Sequence, residues 1–92
     1  MKGLKKRLFA EQAGICAYCD VPMALHHDGT LPRDLATLDR IVPGSEGGTY
    51  AETNVTLCCL NCNRHKRSHT PATLRRMADR IDRLMFERGL AA

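Results

Sequence analysis

Ninety-two residues and 10.2 kDa hold one small domain, residues 1–92, and exclude two independently packed cores. Apolar residues make up 43% of the chain but aromatics only 4%, with no Trp, two Phe and two Tyr, so the core is too thin to stand without a disulfide, a metal or a partner. Fourteen Lys and Arg against ten Asp and Glu give a net charge of +4 and a pI near 9.0, which suits a polyanionic partner without naming one and is equally ordinary for a soluble domain.

Leu4, Leu8 and Phe9 recur at helical spacing among Lys2, Lys5, Lys6 and Arg7, which predicts a short basic helix over residues 2–13, inside a basic segment 1–14 that ends at Gly14. The apolar stretch Leu8-Phe9-Ala10 stops at Glu11, too soon for a signal peptide, and no run of 18 apolar residues follows. The expectation is a soluble, cytoplasmic protein with no membrane partner. Cys16-Ala17-Tyr18-Cys19 is a CxxC knuckle followed by a turn at Asp20-Val21-Pro22. Residues 24–36 mix Gly29 and Pro32 with polar residues, show no period, and read as a loop that carries no core.

Thr37–Val42 is β-branched and apolar ahead of Pro43-Gly44 and predicts a strand; residues 44–49 are turn chemistry, and Asn54–Cys58 predicts a second strand. Cys59-Leu60-Asn61-Cys62 is a second knuckle, leading into a basic helical stretch over residues 63–69. Thr70 and Pro71 suit the Ncap and N1 positions of a last helix over residues 70–89, closed by Gly89. Its Leu74, Met77, Ala78, Ile81, Leu84 and Met85 form an amphipathic stripe that packs on the core, with a dimer interface as the other use of such a face. The fold class is small α+β.

Five cysteines in a reducing compartment favour metal over disulfides, and the count is odd. Cys16 with Cys19 and Cys59 with Cys62 read CxxC, 39 residues, CxxC. A two-residue gap lets both thiolates of a knuckle reach one tetrahedral Zn²⁺ at about 2.3 Å, and two knuckles close a structural site of four cysteines. A redox CxxC belongs beside a βαβ pattern, which this chain lacks. Four thiolates leave no open position for substrate, so chemistry must lie elsewhere, and zinc binding worth roughly 10–16 kcal/mol in small zinc domains supplies the stability the core lacks. Cys58, at the end of an apolar strand, reads as a buried thiol, although a CxxxC pairing with Cys62 is also spaced for metal.

Together, Cys16-Ala17-Tyr18-Cys19, Leu38-Asp39-Arg40-Ile41-Val42-Pro43, Gly47-Gly48, Asn54, and Cys59-Leu60-Asn61-Cys62-Asn63 with Lys66 resemble a zinc-containing HNH endonuclease in order and spacing, over about residues 5–69. The chain is similar to the small stand-alone HNH proteins of bacteria and their phages. The resemblance implies a ββα-metal (HNH, His-Me finger) core within residues 16–69, in which two strands and a helix hold one divalent cation against a DNA phosphate and the cysteine knuckles brace them. It implies Asp39 and Asn63 as ligands of the catalytic cation, and Asn54 as the residue that pins the loop between the strands. Arg40 stands where the family places a His general base; a guanidinium, with a pKa above about 12 and no acceptor lone pair, cannot do that work. Without the surrounding motif, Asp39-Arg40 would read as a surface ion pair, and Asn54 and Asn63 as turn or cap residues.

Oxygen ligands from Asp39 and Asn63 suit Mg²⁺ or Mn²⁺. On a helix, residues 63, 66 and 67 lie within about 60° of one another, so Lys66 and Arg67 flank the cation and, with Arg64, form the expected phosphate contacts. His65 and His69 point away from Asn63, whereas His26 or His27 can approach from the loop. The resemblance implies metal-assisted hydrolysis of DNA, with double-stranded DNA as substrate, nicking or double-strand cleavage, and 5′-phosphate and 3′-hydroxyl ends. A packaging or restriction partner protein is open, and so is the oligomeric state. The second reading is a zinc-braced nucleic-acid-binding module that keeps this scaffold with little or no turnover, because of Arg40.

Overall fold

Strands β1 (Ala36–Arg40) and β2 (Val55–Cys59) pair antiparallel with Leu38 opposite Leu57, and they form the centre of the computed structural model, which describes residues 3–26, 32–64 and 71–90. Helix α1 is Leu4–Glu11, helix α2 is Leu60–Arg64 and helix α3 is Pro71–Glu87; single 3-10 turns lie at Pro32–Asp34, Gly44–Glu46 and Glu52–Asn54. This is the small α+β architecture that the sequence predicts. Among the described residues, no helix is long and apolar enough to cross a membrane.

Every residue of β2 is buried, because α1 and the first knuckle pack against it while β1 pairs with one edge. The middle of the other edge is closed largely by one side chain. Gln12, just past α1, accepts hydrogen bonds from the Leu57 N–H (2.9 Å) and the Thr56 hydroxyl (3.1 Å), and its amide donates to the Leu57 carbonyl (3.0 Å). The Ala17 N–H donates to that same carbonyl (3.2 Å). Backbone groups that would otherwise be orphaned in the interior are thereby paired without a third strand.

Helix α1 buries Leu4 and Leu8, one turn apart, and is shorter than the predicted 2–13. The chain leaves the helix at Gln12 and turns through Ala13 and Gly14, both at positive φ, with the Gly14 N–H returning to the Phe9 carbonyl. Residues 24–36 depart from the expected coreless loop. Ala24 bridges to Leu35, the Ala36 N–H donates to the Ala24 carbonyl (2.8 Å), and Ala36 is buried against the cysteines, so the loop's two ends are tied into the core.

The first strand ends at Arg40 rather than Val42, because Val42 takes its partners from a side chain, Asn54, instead of from a neighbouring strand. The second runs one residue later than predicted, and α2 begins at Leu60, so the second knuckle sits on the strand-to-helix junction rather than before the helix. Helix α3 starts at Pro71 and ends in a glycine turn, with Gly89 at φ +68 and the Leu90 N–H on the Met85 carbonyl (2.8 Å). Its core stripe is narrower than expected: Met77 is buried and Ile81 and Leu84 pack beside it, whereas Leu74 is 41% exposed and Ala78 faces solvent. Only the positions i, i+4 and i+7 from Met77 meet the core. Arg88 fastens the helix end by donating to the Val55 carbonyl (2.9 Å).

Candidate metal centre and active site

Cys16, Cys19, Cys59 and Cys62 bring their sulfurs to within 4.8 Å of one another, from the first knuckle and from the β2–α2 junction. Cys16 Sγ stands 3.9 Å from Cys62 Sγ, and Cys19 Sγ 3.8 Å from Cys59 Sγ. Four sulfurs arranged tetrahedrally about 2.3 Å from one centre would stand about 3.8 Å apart, so the donor set fits a zinc ion. The backbone supports it: the N–H groups of Tyr18 (3.4 Å) and Cys59 (3.3 Å) point at Cys16 Sγ, and the N–H of Cys62 points at Cys59 Sγ (3.4 Å). Burial pushes the Cys59 thiol up to about 11 and Cys62 higher still. At Cys16 burial acts the same way, but the N–H groups aimed at its sulfur outweigh it and hold the thiol below its usual range. A cation held by the four sulfurs would compensate the charge of thiolates gathered this closely. Cys58 is fully buried outside this group, with its sulfur 3.6 Å from the Thr37 hydroxyl.

Side chains alternate along β1, so Thr37 and Asp39 share one sheet face with Cys58 and Thr56 opposite them, while Leu38 and Arg40 take the other face. The face that carries Asp39 is built from three parts of the chain. Tyr18, inside the first knuckle and fully buried, donates its hydroxyl to Asp39 Oδ2 at 2.8 Å. Burial, and then the Asp39 charge, raise the pKa of that hydroxyl far above the usual tyrosine range, so it stays a donor. From α2, Asn63 donates its amide to the Thr37 hydroxyl (3.1 Å), which in turn donates to the Cys58 carbonyl (2.8 Å). Among the described residues nothing donates to Asn63 Oδ1. A half-buried carboxylate, Asp39, thus shares the face of Thr37, whose hydroxyl receives the Asn63 amide.

Asn54 is 4% exposed and ties the loop after β1 together. Its Oδ1 accepts the Val42 N–H (2.8 Å), and its amide donates to the carbonyls of Val42 (3.1 Å) and Thr49 (2.7 Å). Gly48 admits this fold-back, because a Cβ there would overlap the Val42 carbonyl. Arg40 stacks its guanidinium 4.5 Å from the centre of the Tyr50 ring, over Gly44, where a Cβ would stand only 2.7 Å from it. Arg64 is exposed at the end of α2 and His26 is exposed; His27, His65, Lys66, Arg67 and His69 lie outside the described residues.

Tyr18, Thr37 and Gln12 are the residues that sequence reasoning passes over. A tyrosine inside a CxxC, one of only two in the chain, is the one signal present for Tyr18. A cleft of about 370 Å³ between α3 and the first knuckle includes neither Asp39 nor Asn63; Gln12, Asp20, Arg80 and Arg88 in its lining are committed to contacts that hold the fold.

Residues 16–79 match the family described as HNH endonuclease, well over half of the 92 residues. Comparison with curated proteins finds no match. Because the matched span takes in both knuckles, the strand pair and the first half of α3, the chain belongs to the HNH endonuclease family, a family of nucleases that act on nucleic acid.

Proposed function

We propose that the chain is a divalent-metal-dependent DNA endonuclease that hydrolyses phosphodiester bonds of double-stranded DNA, acting as one domain, residues 1–92, in the cytoplasm. The observation that supports this reading is Asp39, held by the Tyr18 hydroxyl, on the same strand face as Thr37, whose hydroxyl accepts the Asn63 amide. Asp39 and Asn63 would hold Mg²⁺ or Mn²⁺, and Cys16, Cys19, Cys59 and Cys62 would hold structural Zn²⁺. Held by Asp39 and Asn63, such an ion would supply Lewis-acid chemistry to the phosphodiester.

The chain's own residues do the rest. Asn54 keeps the turn after β1 closed, which fixes the end of the strand that presents Asp39. Arg64, exposed at the end of α2, supplies a cation for phosphates, and Lys66 and Arg67 follow it in the sequence. Arg40 adds fixed positive charge near the strand end but accepts no proton, so the proton of the attacking water leaves to solvent or to another side chain. That departure favours a second reading: a zinc-braced nucleic-acid-binding module with little or no turnover.

Supercoiled plasmid incubated with zinc-loaded protein and added Mg²⁺ or Mn²⁺ separates the two. The nuclease reading expects nicked or linear DNA, and a loss of at least about 100-fold in Asp39→Ala and Asn63→Ala with zinc retained. DNA binding that weakens with salt, without cleavage across divalent ions and pH, leaves the binding module.

A further inference from the structure

The first zinc knuckle contains the residue that touches the opposite functional region. Tyr18 lies between Cys16 and Cys19, is fully buried, and has its backbone N–H on Cys16 Sγ while its hydroxyl reaches Asp39 Oδ2, 21 residues away in sequence. One residue therefore contacts a sulfur of the structural cluster at its backbone end and the acid of β1 at its side-chain end. Its ring is fully buried within the same core cluster as Leu57, Cys58 and Cys62. Asp39, by contrast, is only half-buried at a short strand's next-to-last position, where packing alone would let a carboxylate sample several rotamers.

We propose that Tyr18 is a positioning residue: its hydroxyl, anchored by the first knuckle, helps to hold the Asp39 carboxylate in the orientation that would bind the divalent cation. The proposal rests on the reading of Asp39 as a metal ligand. It extends that reading by linking the orientation of Asp39 to the cysteine cluster through the Tyr18 side chain. Partners that orient a metal-binding carboxylate are worth about 10- to 100-fold in metal affinity or activity.

The test compares wild type, Tyr18→Phe and Asp39→Ala, each zinc-loaded, by titration calorimetry with Mn²⁺ and by plasmid cleavage over a range of Mn²⁺ concentrations. Tyr18→Phe keeps the ring and its packing and removes only the donor. It is expected to retain one zinc per chain, to bind Mn²⁺ about 10-fold or more weakly, and to recover most of its cleavage when Mn²⁺ is raised to saturation. Unchanged Mn²⁺ affinity in Tyr18→Phe, against a wild type whose Mn²⁺ binding disappears in Asp39→Ala, overturns the positioning role and leaves the metal site standing. Loss of zinc together with Mn²⁺ binding in Tyr18→Phe also overturns it, because the hydroxyl is then a folding element. Mn²⁺ binding by wild type that does not depend on Asp39 removes the metal-site reading and the proposal with it.

Discussion

The cysteine cluster draws its ligands from two tight pairs, each held within one knuckle, whereas the Asp39 face gathers single residues from the knuckle, β1 and α2. In the first region local chain geometry already points two sulfurs the same way, so folding has only to bring two halves together. In the second, only Thr37 and Asp39 are close in sequence, and hydrogen bonds tie them to Tyr18 and Asn63 from elsewhere in the chain. The two regions share residues: Tyr18 and the β2–α2 junction belong to both, so on the proposed reading the Asp39 face leans on the cluster, whereas no cysteine of the cluster takes its position from Asp39 among the contacts described.

Metal removal is the largest expected effect and the most direct way to break that asymmetry. A zinc chelator, or Cys62→Ser, should abolish the folded state, as the loss of roughly 10 kcal/mol or more exceeds what a core with no Trp can hold in reserve. Far-ultraviolet circular dichroism and zinc content per chain measure it. A chelated chain that keeps its helices and a cooperative melt would mean that the apolar cluster around Leu57 suffices, and that the two regions are independent.

Arg40→His sharpens the comparison from the other side. Stacking on Tyr50 is worth only about 0.5–1 kcal/mol at an exposed ring, so the replacement should fold. If the natural site works without a base, an imidazole at this position should raise the cleavage rate by about 10²- to 10⁴-fold under saturating Mg²⁺. A rate that stays level would show that another group already takes the proton. A rate that falls would assign Arg40 a charge-stabilising role that outweighs base catalysis.

The two regions also differ in how far they can be read before folding. CxxC spacing is a statement about local reach, so the four ligands, and the burial of Cys58 beside them, follow from short-range geometry. Asp39, Asn54 and Asn63 are reached only through resemblance, since an isolated Asp or Asn carries no period or spacing of its own. Their supports are not legible. Tyr18 meets Asp39 across 21 positions, and Gln12 meets Leu57 across 45, contacts that exist only once α1 and the knuckle have docked on β2. The ends of residues 24–36 escape the sequence for the same reason: their pairing, Ala24 with Leu35, is a single bridge that leaves no alternation behind. In α3 the helical period is correct but the buried width is not, because periodicity gives the face and the docking partner decides how much of it is covered.

The smallest expected effect concerns the outer brace of the cluster. Asp20 follows Cys19 in the left-handed region, φ +64, and Arg80 of α3 grips both of its carboxylate oxygens at 2.7 Å while also reaching the Ala17 carbonyl at 3.4 Å. The hydrogen bond from Arg80 holds the Asp20 carboxyl below its ordinary value of 3.8. A folded-state pKa below the unfolded one means that the pair's contribution is fully present above the ordinary carboxylate range and is lost as pH falls through the folded-state pKa. The Asp20 side chain is 54% exposed, so solvent and salt screen the pair and its contribution is small. Thiolates bound to zinc take up protons at higher pH than this carboxylate, so acid unfolding should be governed by the cluster. Arg80→Ala is thus expected to lower Tm slightly at neutral pH and low salt, to converge with wild type in about 1 M salt, and to leave the acid midpoint where it was. Thermal melts across salt, with an acid titration followed by circular dichroism, check all three. An acid midpoint that moves in Arg80→Ala would place the brace, rather than the sulfurs, in control of acid unfolding.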